Sequence, residues 1–255
     1  MPILFAILGL VVGGFAAHAA EAILAKRALV RPYCPYCQAK RRPWQWGAVL
    51  ALISGQWRCR ECGRPLRWPR LAAEVLLTAA WGVVVARYGL TLRSLLALLS
   101  MIPLDMVLVT DLERRLIPNA IMFPSIGTML VLGLIIGPAV PGLVDSSWWH
   151  VPFGGLIGFL VFWALASLGV AVFGEGALGA GDVKLSAYVG LVVGFPLVIE
   201  ALLLTFFLGG VGALIFLITR RGSLRSAIPY GPFLVLGAIV TVIFGLDILR
   251  WYLSV

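Results

Sequence analysis

Long apolar runs alternate with short polar breaks along this chain, and inside the runs there is no period-2 alternation. A helix needs about 20 apolar residues to cross hydrocarbon. Runs of this kind read as helices that satisfy their own backbone, not as strands of a barrel. The pattern predicts eight spans, at about 2–24, 71–88, 92–110, 119–140, 151–173, 183–195, 197–218 and 229–250, on that length rule. The sixth is short, and Gly194-Phe195-Pro196 separates it from the seventh. The expected fold class is therefore an all-α polytopic membrane protein of about eight transmembrane helices. A small loop module lies between the first two spans.

Composition agrees. Of the 255 residues, 61% are hydrophobic and only 12% charged, against about 45–50% and about 25% in soluble domains. A net charge of +9 would suggest nucleic acid in a soluble protein, but its placement does not. Of the 20 Lys and Arg, 11 lie between Lys26 and Arg70. Arg114, Arg115, Lys184, Arg220, Arg221 and Arg225 fall in alternate later loops, leaving Arg87, Arg93 and Arg250 on the other side. The positive-inside rule makes the basic side cytoplasmic and puts both termini outside. Seven spans would break that alternation at Arg220, Arg221 and Arg225. Ala17-His18-Ala19 looks like a signal cleavage site, but no basic residue precedes the first run and Lys26-Arg27 follow it. An uncleaved first helix is expected.

All four cysteines lie in the basic loop 25–70, as Cys34-Pro35-Tyr36-Cys37 and Cys59-Arg60-Glu61-Cys62. Two such C-x-x-C knuckles can converge on one ion and complete a tetrahedron, the spacing of a zinc ribbon. A reducing compartment argues against disulfides. A redox dithiol, or four cysteines without a role, is the competing reading. A four-cysteine shell is closed, so the Zn2+ would be structural and would fold a loop too polar to build its own core. Trp44, Trp46, Trp57 and Trp68 among the basic residues suit contact with lipid headgroups. Nucleic acid is not expected, because the loop is tethered between two spans.

Charges within spans are costly and usually functional, which makes each of the 11 acidic residues informative. Glu21 and Glu74 sit near span ends and can snorkel to water or pair with the basic loop. Asp105, about one and a half turns inside the third span, reads either as a helix-pairing residue or as support for a site. Two acidic settings are unusual. Asp111 stands where the third span reaches the cytoplasmic face, and Asp182 follows the glycine-rich stretch Gly174 to Gly181. Such glycines allow close backbone approach, for example of an extended substrate; the plainer reading is a flexible loop with Asp182 as a helix cap. The topology puts Asp111 and Asp182 at one depth in two helices. Two carboxylates brought close cannot both ionise cheaply, so one keeps a proton. That division suits an aspartic peptidase, in which one group deprotonates water and the other polarises the scissile carbonyl.

These residues resemble the type IV prepilin peptidases, the leader peptidases of pilus and type II secretion systems. The likeness rests on the paired C-x-x-C knuckles, Asp111 seven residues before Pro118, Gly179-Ala180-Gly181-Asp182 followed by Lys184, and Ile228-Pro229-Tyr230-Gly231-Pro232-Phe233. The resemblance implies that Asp111 and Asp182 are catalytic, that Gly179, Gly181, Lys184 and Glu113 support the site or its substrate, and that Cys34, Cys37, Cys59 and Cys62 hold the metal. It implies cleavage of prepilin or pseudopilin leaders at the cytoplasmic face of the bacterial inner membrane. In many members S-adenosylmethionine then methylates the new N-terminus. The implied organisation is a first helix at 1–24, a cysteine module at 25–70 with the methyltransferase part, and a peptidase core at 71–255. Gly13-Gly14-Phe15-Ala16-Ala17-His18 departs from the family's first-span motif in lacking an asparagine. A proton-coupled transporter would need midplane carboxylates and repeated halves, and neither is found in the sequence. A silent assembly scaffold would make both aspartates dispensable.

Overall fold

The structure is a computed structural model that describes residues 1–26, 33–34, 36–42, 45–143, 147–173, 178–218 and 230–254. Its helices are α1 (Pro2–Leu24), α2 (Ala48–Ile53), α3 (Trp68–Tyr88), α4 (Leu92–Arg114), α5 (Asn119–Ile136), α6 (His150–Phe173), α7 (Ala180–Val193), α8 (Leu197–Ile218) and α9 (Gly231–Ser254). Apart from α2 these are the eight expected helices, in order. Seven are long and apolar enough to cross a membrane. The exception is α7, whose 14 residues rise about 21 Å, short of the hydrocarbon core. Its shortness is tolerated because it packs among α5, α6, α8 and α9, so protein rather than lipid surrounds most of it. Residues 188–193 are all buried. Arg220, Arg221, Arg225, Asp145 and the Gly174–Ala177 part of the glycine stretch lie outside the described residues.

Several ends differ from the sequence expectation. The chain continues as helix through Arg114, and Arg115 then takes a left-handed conformation (φ 53°), so Asp111 lies within the last turn of α4. α5 stops at Ile136 because Gly137 has φ 96°, a conformation glycine adopts without Cβ strain. The backbone beyond it is satisfied elsewhere, since the Ala139 N–H donates to the Val192 carbonyl at 2.8 Å. At the other break, Gly194 ends α7 with φ 71°, which makes α7 and α8 two helices rather than one kinked segment.

Backbone contact joins α6 to α7. A Cβ on Gly158 would stand 2.2 Å from the Ser186 carbonyl oxygen, and one on Gly190 would stand 2.1 Å from that of Gly154. Gly154-x-x-x-Gly158 is the small-residue spacing that lets membrane helices approach closely. Ser186 Oγ adds a hydrogen bond to the Gly158 carbonyl at 2.9 Å. Across the bundle, Tyr188 Oη donates to the Ser100 carbonyl of α4 at 2.9 Å.

Polar contacts fasten the cysteine loop to the helices. Arg70, fully buried, pairs with Glu21 of α1 at 3.2 Å and donates to the Trp46 carbonyl at 2.9 Å. Glu74 does not snorkel. It turns inward, is fully buried, and accepts from the Ala48 and Val49 N–H groups at 2.6 and 2.9 Å. A carboxylate on the free N–H groups of a helix start is favoured by both hydrogen bonding and the helix dipole, so a membrane helix caps the loop's α2. At the opposite end of the bundle, Arg87 pairs with Asp247.

The glycine contacts can be tested with a matched pair. Gly158→Ala should destabilise the protein by at least about 1–3 kcal/mol, the usual cost of overpacking. Gly127→Ala, in a helical position with nothing within 4 Å, should leave it intact. Unfolding temperatures of both variants in detergent measure the difference.

Candidate active site and metal centre

Asp111 and Asp182 are 71 residues apart in sequence and come within electrostatic reach of one another. α4 brings Asp111 down in its last turn, where it is 5% exposed. α7 presents Asp182 in its first turn, just after Gly179-Ala180-Gly181. The N-terminus of α9 closes the site. A Cβ at Gly231 would stand 2.6 Å from Asp111 Oδ2, so only glycine lets α9 start this close to the carboxylate. Within the Gly-Ala-Gly-Asp stretch, a Cβ on Gly181 would stand 2.9 Å from the Ile117 side chain. The missing side chain therefore lets the start of α7 lie against the turn that follows α4. Gly179 stands beside Asp182 itself, its Cβ position 3.2 Å from Oδ2.

Tyr230 is also within electrostatic range of Asp182, and its ring packs among Phe162, Phe206 and Phe233. In the sequence Tyr230 and Gly231 belong to the family-like run and do not stand out as site residues. The signal was the Tyr230-Gly231-Pro232 run itself, a glycine beside a proline at a helix start. Ile228 and Pro229 lie outside the described residues.

The four cysteine sulfurs lie within 4.8 Å of one another. Cys34 and Cys62 are 3.7 Å apart, Cys37 and Cys59 3.6 Å. Four sulfurs each about 2.3 Å from one zinc ion would be about 3.8 Å apart. The cluster therefore fits a tetrahedral ion and could hold a metal. The knuckles have matching backbones. The Cys34 N–H donates to the Ala39 carbonyl and the Cys59 N–H to the Arg64 carbonyl, both at 2.9 Å. The residue after the second cysteine of each, Gln38 or Gly63, has φ of 60° or 68°. Without a cation, so many sulfurs cannot all ionise. The Cys62 backbone N–H lowers the Cys59 thiol to about 7. Cys37 is pushed up to about 12, because desolvation and the neighbouring sulfurs outweigh its hydrogen bond from the Ala39 N–H. A bound dication reverses that repulsion.

Comparison with known proteins matches residues 96–214 to the type IV leader peptidase family and residues 7–88 to the bacterial peptidase A24 N-terminal domain. A prepilin leader peptidase/N-methyltransferase of Aeromonas salmonicida is 31% identical, the match covering 88% of this chain and 75% of that protein. The chain belongs to the type IV leader peptidase family. Proteins of the same name from Bacillus subtilis (27% identical, 100% of this chain, 98% of the relative) and Legionella pneumophila (29%, 89% and 76%) are similar over most of their length. No solved structure matches the chain.

The remaining residues weighed for the site make their contacts with groups other than the two aspartates. Lys184 Nζ donates to Asn119 Oδ1 at 2.6 Å and lies over the Phe123 ring, tying the start of α7 to the start of α5. Glu113 pairs with Arg67 at 2.6 Å. Asp105 is 2% exposed, and neither of its oxygens has a hydrogen-bond partner among the described residues. Its electrostatic neighbour is Glu74 of α3, so it faces the α3 side of α4.

The thiol chemistry predicts how metal is retained. Metal competes with protons at Cys37 and Cys59, so binding should strengthen as pH rises and fail as it falls through the range below about 7. Metal analysis after gel filtration should find about one ion per chain near pH 8 and markedly less near pH 5. Cys34→Ser should lower the content at either pH. Full retention in acid would contradict thiolate ligation.

Proposed function

We propose that this chain is an aspartic endopeptidase that cuts the leader of prepilin and pseudopilin-like proteins at the cytoplasmic face of the bacterial inner membrane, with Asp111 and Asp182 as its catalytic pair. The observation that supports this reading is that Asp111, at the end of α4 and beside the glycine that opens α9, lies within electrostatic reach of Asp182 at the start of α7. In the reaction the charged member takes a proton from water as the oxygen attacks the scissile carbonyl. The protonated member donates a hydrogen bond to the carbonyl oxygen and supports the developing negative charge. The leaving amine departs with a proton from the pair.

The distribution of Lys and Arg supports the sidedness, with the cysteine module and aspartates cytoplasmic and both termini outside. Thiolate spacing and the closed four-sulfur shell favour zinc, held by Cys34, Cys37, Cys59 and Cys62, as a structural ion. The similar proteins also carry N-methyltransferase in their names. On that basis a second activity, methylation of the new N-terminus from S-adenosylmethionine, belongs to the part that includes module 25–70. The peptidase core would then be 71–255.

The test is cleavage of a prepilin-type substrate in liposomes, with products weighed by mass spectrometry. Wild type should cut. Asp111→Asn and Asp182→Asn should fall by several orders of magnitude while keeping their metal and unfolding temperature. Cleavage retained by either variant would remove that residue from the pair. Gly231→Ala, which crowds Asp111 Oδ2, should cost at least tenfold in kcat, on the scale of a small misplacement of a reacting group. A mass gain of one methylene when S-adenosylmethionine is added would establish the second activity.

A further inference from the structure

Glu113 is two residues beyond Asp111, in the same last turn of α4. That turn is closed by the Arg115 N–H, which donates to the carbonyl of Asp111 itself at 2.8 Å. The Glu113 side chain is 3% exposed. Its Oε2 accepts from Arg67 Nη1 at 2.6 Å, while Oε1 has no hydrogen-bond partner among the described residues. Arg67 thus makes the hydrogen bond that holds this buried carboxylate, and a buried charge stripped of its partner does not keep its place.

Arg67 belongs to the cysteine module as much as to α3, whose N-cap position it occupies. Its guanidinium lies 5.5 Å from the ring of Tyr36, and Arg64 lies 4.7 Å from the same ring. Tyr36 stands between the two cysteines of the first knuckle. Through the chain, Arg67 follows directly on the second knuckle, where the Leu66 N–H donates to the Trp57 carbonyl at 2.9 Å. The Arg67 side chain therefore touches the first knuckle and the turn that carries Asp111, while its backbone continues from the second knuckle.

We propose that Arg67 and Glu113 are positioning residues, an ion-pair strut by which the cysteine module sets the orientation of the Asp111 turn. This rests on the reading of Asp111 as catalytic. The strut differs from a merely stabilising ion pair in what it controls. It should act on turnover, because it fixes a reacting group. Substrate affinity should be spared, since neither side chain lies on Asp182, Tyr230 or Gly231.

The experiment compares steady-state cleavage in liposomes for wild type, Arg67→Met, Glu113→Gln, the exchanged pair Arg67→Glu with Glu113→Arg, and Tyr36→Leu. Metal content and unfolding temperature are followed for each. The single variants should lose between about ten- and a hundredfold in kcat with KM within about twofold, the scale of a misplacement near an ångström. The exchanged pair should recover part of that loss, and Tyr36→Leu should show a smaller loss with the ion pair intact. Singles that keep full kcat, or that raise KM alone, would overturn the strut. So would an exchanged pair no better than the worse single. If Arg67→Met does not fold, Arg67→Lys and Tyr36→Leu carry the comparison, and full kcat in both would overturn it equally. Wild type that cleaves nothing would sink the peptidase reading and the strut together. Cleavage by wild type with unaffected singles would sink the strut alone.

Discussion

Backbone standing where a side chain would otherwise be is what brings the two halves of the site together. α7 is too short to be held by lipid matching at both ends, so its depth and rotation come from contact with α6. Gly154 and Gly158 on one helix and Gly190 on the other remove the side chains that would keep the axes apart. Between lipid-solvated helices there is little hydrophobic drive to associate, and close packing with a few hydrogen bonds takes its place. The same device recurs at the site, where Gly181 admits Ile117 and Gly231 admits the Asp111 carboxylate. The glycines of the Gly-Ala-Gly-Asp stretch thus fix protein against protein as well as leaving room beside Asp182.

A second layer of order comes from charges buried near the membrane surface. Arg70 and Glu74 lie on α3, yet their partners are the end of α1 and the backbone of the loop. Each would be costly in that setting without those partners. Satisfying them draws the loop onto the helices. The cysteine module is therefore docked by the needs of the bundle, and its own cluster fixes its internal shape.

Docking gives the module a route to the aspartates that a flexible tether would not. Its knuckles end in Arg67, and Arg67 ends on Glu113, one turn from the chain reversal into α5. A metal held by the four sulfurs would have no open position for a substrate. Its influence on cleavage would have to be mechanical, through this contact. Lys184 and Asn119 tie the start of α7 to the start of α5, so each turn that carries an aspartate is held by a polar contact two residues from it.

The eight helices were legible from the hydrophobic runs, because the bilayer enforces length and apolarity locally. The cysteine cluster was legible too, since two residues between thiols already limit what a knuckle can do. The chemistry of Asp111 and Asp182 could be suspected from their settings and from family likeness. Their meeting could not be read from the runs, because it depends on how far α7 sinks against α6 and where α9 begins. Helix ends at Arg114 and Ala180 were missed by several residues, since polar residues near the interface continue a helix without any apolar signal. Of the two readings open for Glu74, water or the basic loop, the structure takes the loop, but that its partners are the N–H groups of a helix start was not legible before that helix was placed. Local solvent decides which segments span and which thiols gather. Only the tertiary packing, which sets distances between residues far apart in the chain, decides which carboxylates come within electrostatic reach of each other and which charges hold the module in place.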